Sequence, residues 1–253
     1  SGYEEAAAQG LVAGINAALK IQGKAPFVLT RDTSYIGTLI DDLVTKGTQE
    51  PYRIMTSRSE YRLLHRQDNA DQRLTHIGAA VGLVPPERLR AVEEKYEAVR
   101  REIARLEGSG IPGSPALNQM LAARDTAPVE NSARLADLLR RPQVSYEDLA
   151  PFDKERPQLP PSITEEVEIQ LKYAGYLARQ EKQVAEFKRE EARLLPETLD
   201  YNAISGLRLE ARQKLSDIRP LSLGQAGRIS GVSPADIAVL MIYLEQEKLT
   251  VDN

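Results

Sequence analysis

The 253-residue sequence contains no cysteine. Disulfides, thiolate metal sites and a cysteine nucleophile are therefore excluded within it, and the composition fits a reducing compartment. Histidine is nearly as scarce. His65 and His76 are the only two, too few for a His-rich metal site. No apolar run approaches the length of a membrane span, so none is expected. The first residues show no basic segment followed by an apolar one and are not read as a secretory signal. Basic charge is not in surplus either: 33 Lys and Arg against 37 Asp and Glu leave a formal net charge of −4. That argues against a generally basic nucleic-acid coat but not against a local patch, because the arginines are unevenly spread. GxGxxG and Walker loops are absent. Period-2 alternation is nowhere sustained, and at most VLTRD (28–32) and PYRIM (51–55) read as short strands.

What remains is helical periodicity, which predicts a mainly α fold. In PERLRAVEEKYEAVRREIARLEG the apolar residues Leu89, Val92, Tyr96, Val99, Ile103 and Leu106 recur every three or four positions. That is the seam of a helix packed on another helix. GSGIPGSP (108–115) is expected to break it as a surface loop. In SARLADLLRR, Ser132 is expected to cap a helix that Pro142 stops. Ser145 and Asp148 suggest a further short helical start. The longest helix is expected from Ser162, in capping-box spacing with Glu165, to Pro196, with a weak point at Gly175. At about 1.5 Å per residue it spans roughly 50 Å. Residues 201–253 change texture, with short helices separated by Ser205-Gly206, Pro220 and Gly231-Val232-Ser233, and read as a small helical subdomain.

Three stretches carry possible chemistry. In EPYRIMTSRSEYRLLHRQDNADQRL, Ser57 and Glu60 have capping-box spacing. A helix starting there puts Arg58, Arg62 and Arg66 on one stripe, a row of planar donor forks suited to phosphates. Arg53 and Arg73 widen the patch. The bland alternative, in which these arginines pair with Glu50, Glu60, Asp68 and Asp71 on a solvated face, stays open and is favoured by spacing alone. DNAD (68–71) reads as a turn before a metal site. In SLGQAGRISGVSPADIAVLMIYLEQEKL, Ser222 caps one helix, Gly231 ends it, and Ser233 caps the next with Pro234 at its first position. Ile237, Leu240, Met241 and Leu244 make the inner face of that second helix. It resembles a helix-turn-helix, yet PADIAVLMIYLEQ offers no base-reading side chain in its first turns and carries Asp236 instead, so DNA reading is rejected. Arg228 and the apolar residues suit a protein-binding face. Finally, GYEEAAAQGLVAGINAALK (2–20) is a helix with one side nearly bare. Gly-Tyr-Glu-Glu stands at its N-terminus, where free N–H groups favour electron-rich ligand atoms, although tight packing of such a helix on a sheet is the plainer reading.

Taken together, GYEEAAAQGLVAGINAALK, TRDTSYIGTLIDDLVTKGTQEPYR with TSRSEYRL and DNADQRLT, and SGL…PLSLGQAGRISGVSPADI resemble the MnmG/GidA family along the whole length. Ile54-Met55 and His65 are small departures. The resemblance covers the last helix of a Rossmann-type FAD domain and the helical C-terminal region. It implies residues 1–25 as the terminal helix of the FAD domain, 26–200 as a helical domain and 201–253 as a small C-terminal subdomain. It further implies the flavoprotein subunit that modifies C5 of the tRNA wobble uridine with FAD, NADH and a folate one-carbon donor. The partners implied are tRNA, the GTPase MnmE and a second copy of the full-length protein, in the cytoplasm, with neither membrane nor DNA. Carried over, Gly2, Tyr3 and Glu4 would face the flavin. Arg53, Arg58, Arg62, Arg66 and Arg73 would belong to the tRNA surface. Arg228, Ile237, Leu240, Met241 and Leu244 would belong to the MnmE-docking end. This chain alone is expected to hold no cofactor or metal and to be catalytically inactive, its first helix an orphan that is frayed, repacked on the helical region or held by a neighbouring molecule. A module that docks MnmE without touching RNA is the alternative.

Overall fold

A computed structural model describes residues 2–47 and 50–251, with side chains through residue 245. It is mainly α, as expected, and divides into two compact units: Leu63–Arg179, and Ser1–Arg62 together with Gln180–Asn253. The limits of these units differ from the divisions at residues 25 and 200 expected from sequence.

The unit Leu63–Arg179 contains α3 (Ala70–Ala80), α4 (Pro86–Gly108), β1 (Gly110–Pro112), α5 (Pro115–Ala123), β2 (Ser132–Arg134), α6 (Leu135–Leu139), a 3-10 turn at Glu147–Phe152 and the first turns of α7 (Pro161–Glu191). The α4 seam is buried as predicted: Val92, Tyr96, Val99 and Leu106 lie inside, with Leu89 and Ile103 partly covered. Val99 and Leu106, with Ile103 against them, meet Leu117, Leu121, Leu135, Leu138, Leu139 and Val167 in one core. Full burial of each such side chain contributes on the order of 2 kcal/mol.

Several local expectations fail here. Residues 108–115 do not form an open loop, because Ile111 is buried and Gly110–Pro112 pair antiparallel with Ser132–Arg134. Ser132 is thereby drawn into a strand, and its helix starts only at Leu135. Gly113 suits this corner, since a Cβ there would lie 2.4 Å from the Val129 carbonyl oxygen. The Ser145–Asp148 start is present: Ser145 Oγ donates to Asp148 Oδ2 at 2.8 Å, and the Asp148 N–H donates back to Oγ at 3.2 Å. α7 begins one residue before Ser162, which lies inside the helix rather than capping it. It runs unbroken through Gly175 and stops at Glu191, short of Pro196. At 31 residues it is about 46 Å long.

The other unit holds α1 (Tyr3–Ile21), α2 (Tyr35–Thr45), a 3-10 turn at Thr56–Arg58, the last turns of α7, α8 (Leu209–Ile218), α9 (Leu223–Arg228) and α10 (Pro234–Val251). Residues 28–32 and 51–55 form no strand: 28–30 and 51–55 have no regular structure, and 31–32 lie in a turn. Asn16 Oδ1 accepts the Phe27 N–H at 2.7 Å, and Glu5 Oε1 accepts the Ile54 N–H at 2.9 Å. These two ties also hold α1, which is a continuous helix rather than a frayed one.

The tail core joins Leu195, Leu199, Tyr201, Ile204, Leu215, Leu223, Ile229 and Leu240. Its caps are those read from sequence. Ser222 Oγ accepts the Gln225 N–H at 3.0 Å, and Ser233 Oγ both accepts the Asp236 N–H at 3.3 Å and donates to Asp236 Oδ2 at 2.7 Å. Ser222→Ala is expected to destabilise this unit by about 1 kcal/mol, read as a lower denaturation midpoint.

Arg208 donates to Asp236 at 2.6 Å. This pairing, against the opposing effect of burial and with help from Ser233, holds the Asp236 carboxyl well below the usual carboxylate range. The folded pKa is therefore lower than the unfolded one. The stabilisation is complete above about pH 4 and fades as the pH falls further. Asp236→Asn should flatten the loss of tail stability below about pH 4; an unchanged acid limb of the denaturation curve would contradict this.

Candidate nucleic-acid interface

The arginine-rich stretch does not form the single helix that its spacing suggested. After the 3-10 turn at Thr56–Arg58 the chain continues in turns, and α3 begins only at Ala70. Glu60 cannot complete a capping box with Ser57 because a buried cation has recruited it. Arg31, 2% exposed, donates from Nη2 to Glu60 Oε1 at 2.8 Å and Oε2 at 3.0 Å. The same guanidinium donates from Nη1 to Asp42 Oδ1 at 2.6 Å and Asp41 Oδ2 at 3.0 Å, and from Nη2 to the Arg58 carbonyl at 3.3 Å. Without the helix there is no Arg58–Arg62–Arg66 stripe.

The five arginines accordingly separate by environment. Arg53 is exposed, with Nε 3.4 Å from Glu5 Oε1. Arg58 is exposed and places its guanidinium carbon 4.6 Å from the Tyr52 ring centroid, a cation–π contact that fixes the head without neutralising it. Arg62 is exposed and has no ion-pair partner among the described residues. All three belong to the unit Ser1–Arg62 with Gln180–Asn253.

Arg66 and Arg73 belong to the other unit and are engaged internally. Arg66 forks onto Asp68 at 2.9 to 3.1 Å, donates to the Leu63 carbonyl at 2.7 Å and lies 5.6 Å from the Tyr173 ring centroid. Arg73 donates to Asn69 Oδ1 at 3.0 Å and to the Arg66 carbonyl at 3.2 Å. DNAD is a turn into α3, as read. Asp71 accepts from the Tyr96 hydroxyl at 2.7 Å and from Lys95 at 2.9 Å. Among the described residues no group of three or more His, Asp or Glu side chains could hold a metal.

Asp42 anchors the arginine loop a second time, accepting from the Tyr52 hydroxyl at 2.6 Å. Burial raises the Asp42 pKa, but Lys46, Tyr52 and Arg31 outweigh it and hold the carboxyl below its ordinary value. Sequence reading missed Arg31, Asp41 and Asp42, and gave Glu60 only as a cap or a surface pair. The available signal was two adjacent acids on the otherwise apolar YIGTLIDDLVT.

The proposed docking residues of the tail face inward. Leu240 is fully buried, and Ile237, Met241 and Leu244 pack against the same core. The inner-face reading therefore holds, and Ile237, Met241 and Leu244 keep only partial exposure. Arg228 is mostly buried too. It donates to Asp41 at 2.8 and 2.9 Å and to Glu191 at 2.6 Å, with its guanidinium 5.3 Å from the Phe187 ring centroid. Among the described residues, the large exposed apolar side chains of the tail are Leu194, Leu209, Leu221 and Ile242.

At the tip of α1, Gly2 supplies no side-chain cap, Tyr3 is 95% exposed and Glu4 is exposed. The backbone N–H groups of Gly2 and Glu5 turn to the Glu5 carboxylate, so this end of α1 is occupied by its own acid while the Tyr3 ring stays uncovered. Glu5, next in line, is buried, and its carboxyl is held below the ordinary range, first by the Ile54 N–H.

Comparison with known proteins gives a consistent result. Residues 86–181 match the family described as tRNA modifying enzyme MnmG/GidA C-terminal helical domain, and residues 183–252 match its C-terminal helical bundle. Residues 1–25 match the family described as Glucose inhibited division protein A. The tRNA uridine 5-carboxymethylaminomethyl modification enzyme MnmG of Caldicellulosiruptor saccharolyticus is 56% identical over 248 residues, covering 98% of this chain and 40% of that protein. The enzyme of the same name from Lachnoclostridium phytofermentans is 56% identical over 246 residues, covering 97% and 39%. The form II crystal structure of Aquifex aeolicus GidA superposes with a TM-score of 0.82 at 41% identity, covering 96% of this chain and 38% of that one. The chain thus spans about two fifths of the length of the relatives it matches.

Proposed function

Because the chain belongs to the MnmG/GidA family, matching its helical C-terminal part, we propose that it supplies tRNA binding to the flavoprotein subunit that modifies C5 of the wobble uridine. The relationship over nearly the whole chain carries this reading, and the exposed arginine loop supports it. Arg58 and Arg62, with Arg53 beside them, are the phosphate-facing cations. Arg66 and Arg73 brace the neighbouring turn through their internal partners.

FAD belongs to the proposed whole enzyme and, with NADH, supplies the redox chemistry there. Gly2, Tyr3 and Glu4 would lie against the flavin edge, with the exposed Tyr3 ring as an aromatic surface. The divisions 1–25, 26–200 and 201–253, a homodimeric assembly and a cytoplasmic setting are part of the same proposal. Docking of MnmE is assigned to the tail, on Leu194, Leu209, Leu221 and Ile242 rather than on the inward residues of α10.

The test is filter binding of an unmodified tRNA transcript across a salt series. Arg62→Ala should weaken binding and lower the salt slope by about 0.7–0.9, the loss of one phosphate contact. An unchanged slope assigns Arg62 to solvent alone. MnmE capture by Leu209→Asp or Leu221→Asp protein tests the docking face separately. If capture falls while tRNA binding by the unsubstituted protein is absent, the purely protein-interacting alternative stands.

A further inference from the structure

We infer that Glu60, gripped by the buried Arg31, is a positioning residue that preorganises the arginine loop for its polyanionic ligand; the inference rests on the tRNA-binding reading. Between Met55 and Asn69 the only regular structure is the 3-10 turn, so little backbone hydrogen bonding fixes this segment. Its order comes from side chains.

Arg31 fastens the segment to α2. Its guanidinium takes the Glu60 carboxylate on one side, Asp41 and Asp42 on the other, and the Arg58 carbonyl as well. Gln180 Nε2 donates to the Glu60 carbonyl at 3.0 Å, holding the same residue from α7. Tyr52, itself held by Asp42, lies beneath the Arg58 guanidinium. The backbone and the side chain of Arg58 are thus fixed by one buried group. Asp41 extends this group to the tail through Arg228. A cationic loop ordered before binding loses less conformational freedom on contact with its ligand.

The charge of Glu60 makes the inference decidable by sign. Glu60 is a carboxylate with its side chain 51% exposed, placed among cations proposed to meet phosphates. If it acted through charge alone, Glu60→Gln would tighten tRNA binding. If it positions the loop, Glu60→Gln weakens binding by about threefold to tenfold, the range set by leaving one or two side chains to be ordered on contact. Glu60→Asp keeps the charge but shortens the reach to Arg31, and should also weaken binding. Hydrogen exchange in the ligand-free protein supplies a second readout. Amides 56–62 should exchange faster in Glu60→Gln protein, with α2 unchanged.

Binding that is unchanged or tighter in Glu60→Gln protein overturns the inference, whatever the exchange shows. Arg62→Ala, measured in parallel, separates the two failures. If Arg62→Ala weakens binding and Glu60→Gln does not, the clamp alone is wrong. If Arg62→Ala also leaves affinity and salt slope intact, the tRNA-binding reading falls and takes the clamp's purpose with it.

Discussion

Replacing Arg31 by Met is expected to destabilise the unit Ser1–Arg62 with Gln180–Asn253 by about 3–5 kcal/mol, the cost of removing one partner from a buried ion-pair group. Burial disfavours the Arg31 cation, but Glu60 and Asp42 more than reverse this and hold its pKa above the ordinary guanidinium value. Without it, Asp42 is left almost fully buried with Lys46 and Tyr52 as its partners, and Asp41 with Arg228. Glu60 contributes little to this cost, since it is half exposed and water can screen it.

Arg31→Lys should recover only part of the loss. A single ammonium cannot meet Glu60, Asp42 and Asp41 with the planar fork of a guanidinium. Acidification supplies a second check. In the unsubstituted protein the depressed Asp42 carboxyl contributes stability that is lost as the pH falls below its ordinary value near 3.8. The gap between Arg31→Met and the unsubstituted protein should therefore narrow on the acid side. Urea denaturation at neutral and acidic pH measures both, and a neutral-pH difference under about 1 kcal/mol contradicts the account.

The second large effect contrasts two pairs of arginines. Arg58→Ala with Arg62→Ala should lower tRNA affinity by tenfold or more at moderate salt, on the order expected for two lost phosphate contacts, and reduce the salt slope by about 1.5. Arg66→Ala with Arg73→Ala should leave the slope nearly unchanged and lower the stability of the unit Leu63–Arg179 instead. Arg66 is already neutralised by Asp68, and Arg73 holds the Asn69 side chain and the Arg66 carbonyl. An equal fall in slope for both pairs would restore a continuous basic face and defeat the division drawn between them.

That division was not legible in the sequence. TSRSE has the letters of a capping box, and local spacing alone extends it into a helix with three arginines on one stripe. Glu60 instead answers to Arg31, which lies 29 positions upstream, and no periodic signal reports so distant a partner. The hairpin of Gly110–Pro112 with Ser132–Arg134 was hidden for a related reason, because three-residue strands are too short to show alternation. What could be read was local. The α4 seam needed only its three- and four-residue spacing. The Ser222 and Ser233 caps needed only a hydroxyl placed before an apolar run. The apolar residues of α10 were correctly placed on an inner face.

The bare side of α1 carries a thermodynamic implication of its own. Gly10 and Gly14 sit within the helix, and a Cβ added at either would meet no atom within 4 Å. Glycine in a helix interior is less favourable than alanine by about 1 kcal/mol, through backbone freedom that must be surrendered on folding. At these two positions alanine fits the space and suits the helix better, so the sequence forgoes intrinsic helicity and gains no internal contact in return. Local secondary-structure preference does not account for the residues on this side, whose shallow relief comes at the expense of the helix's own stability.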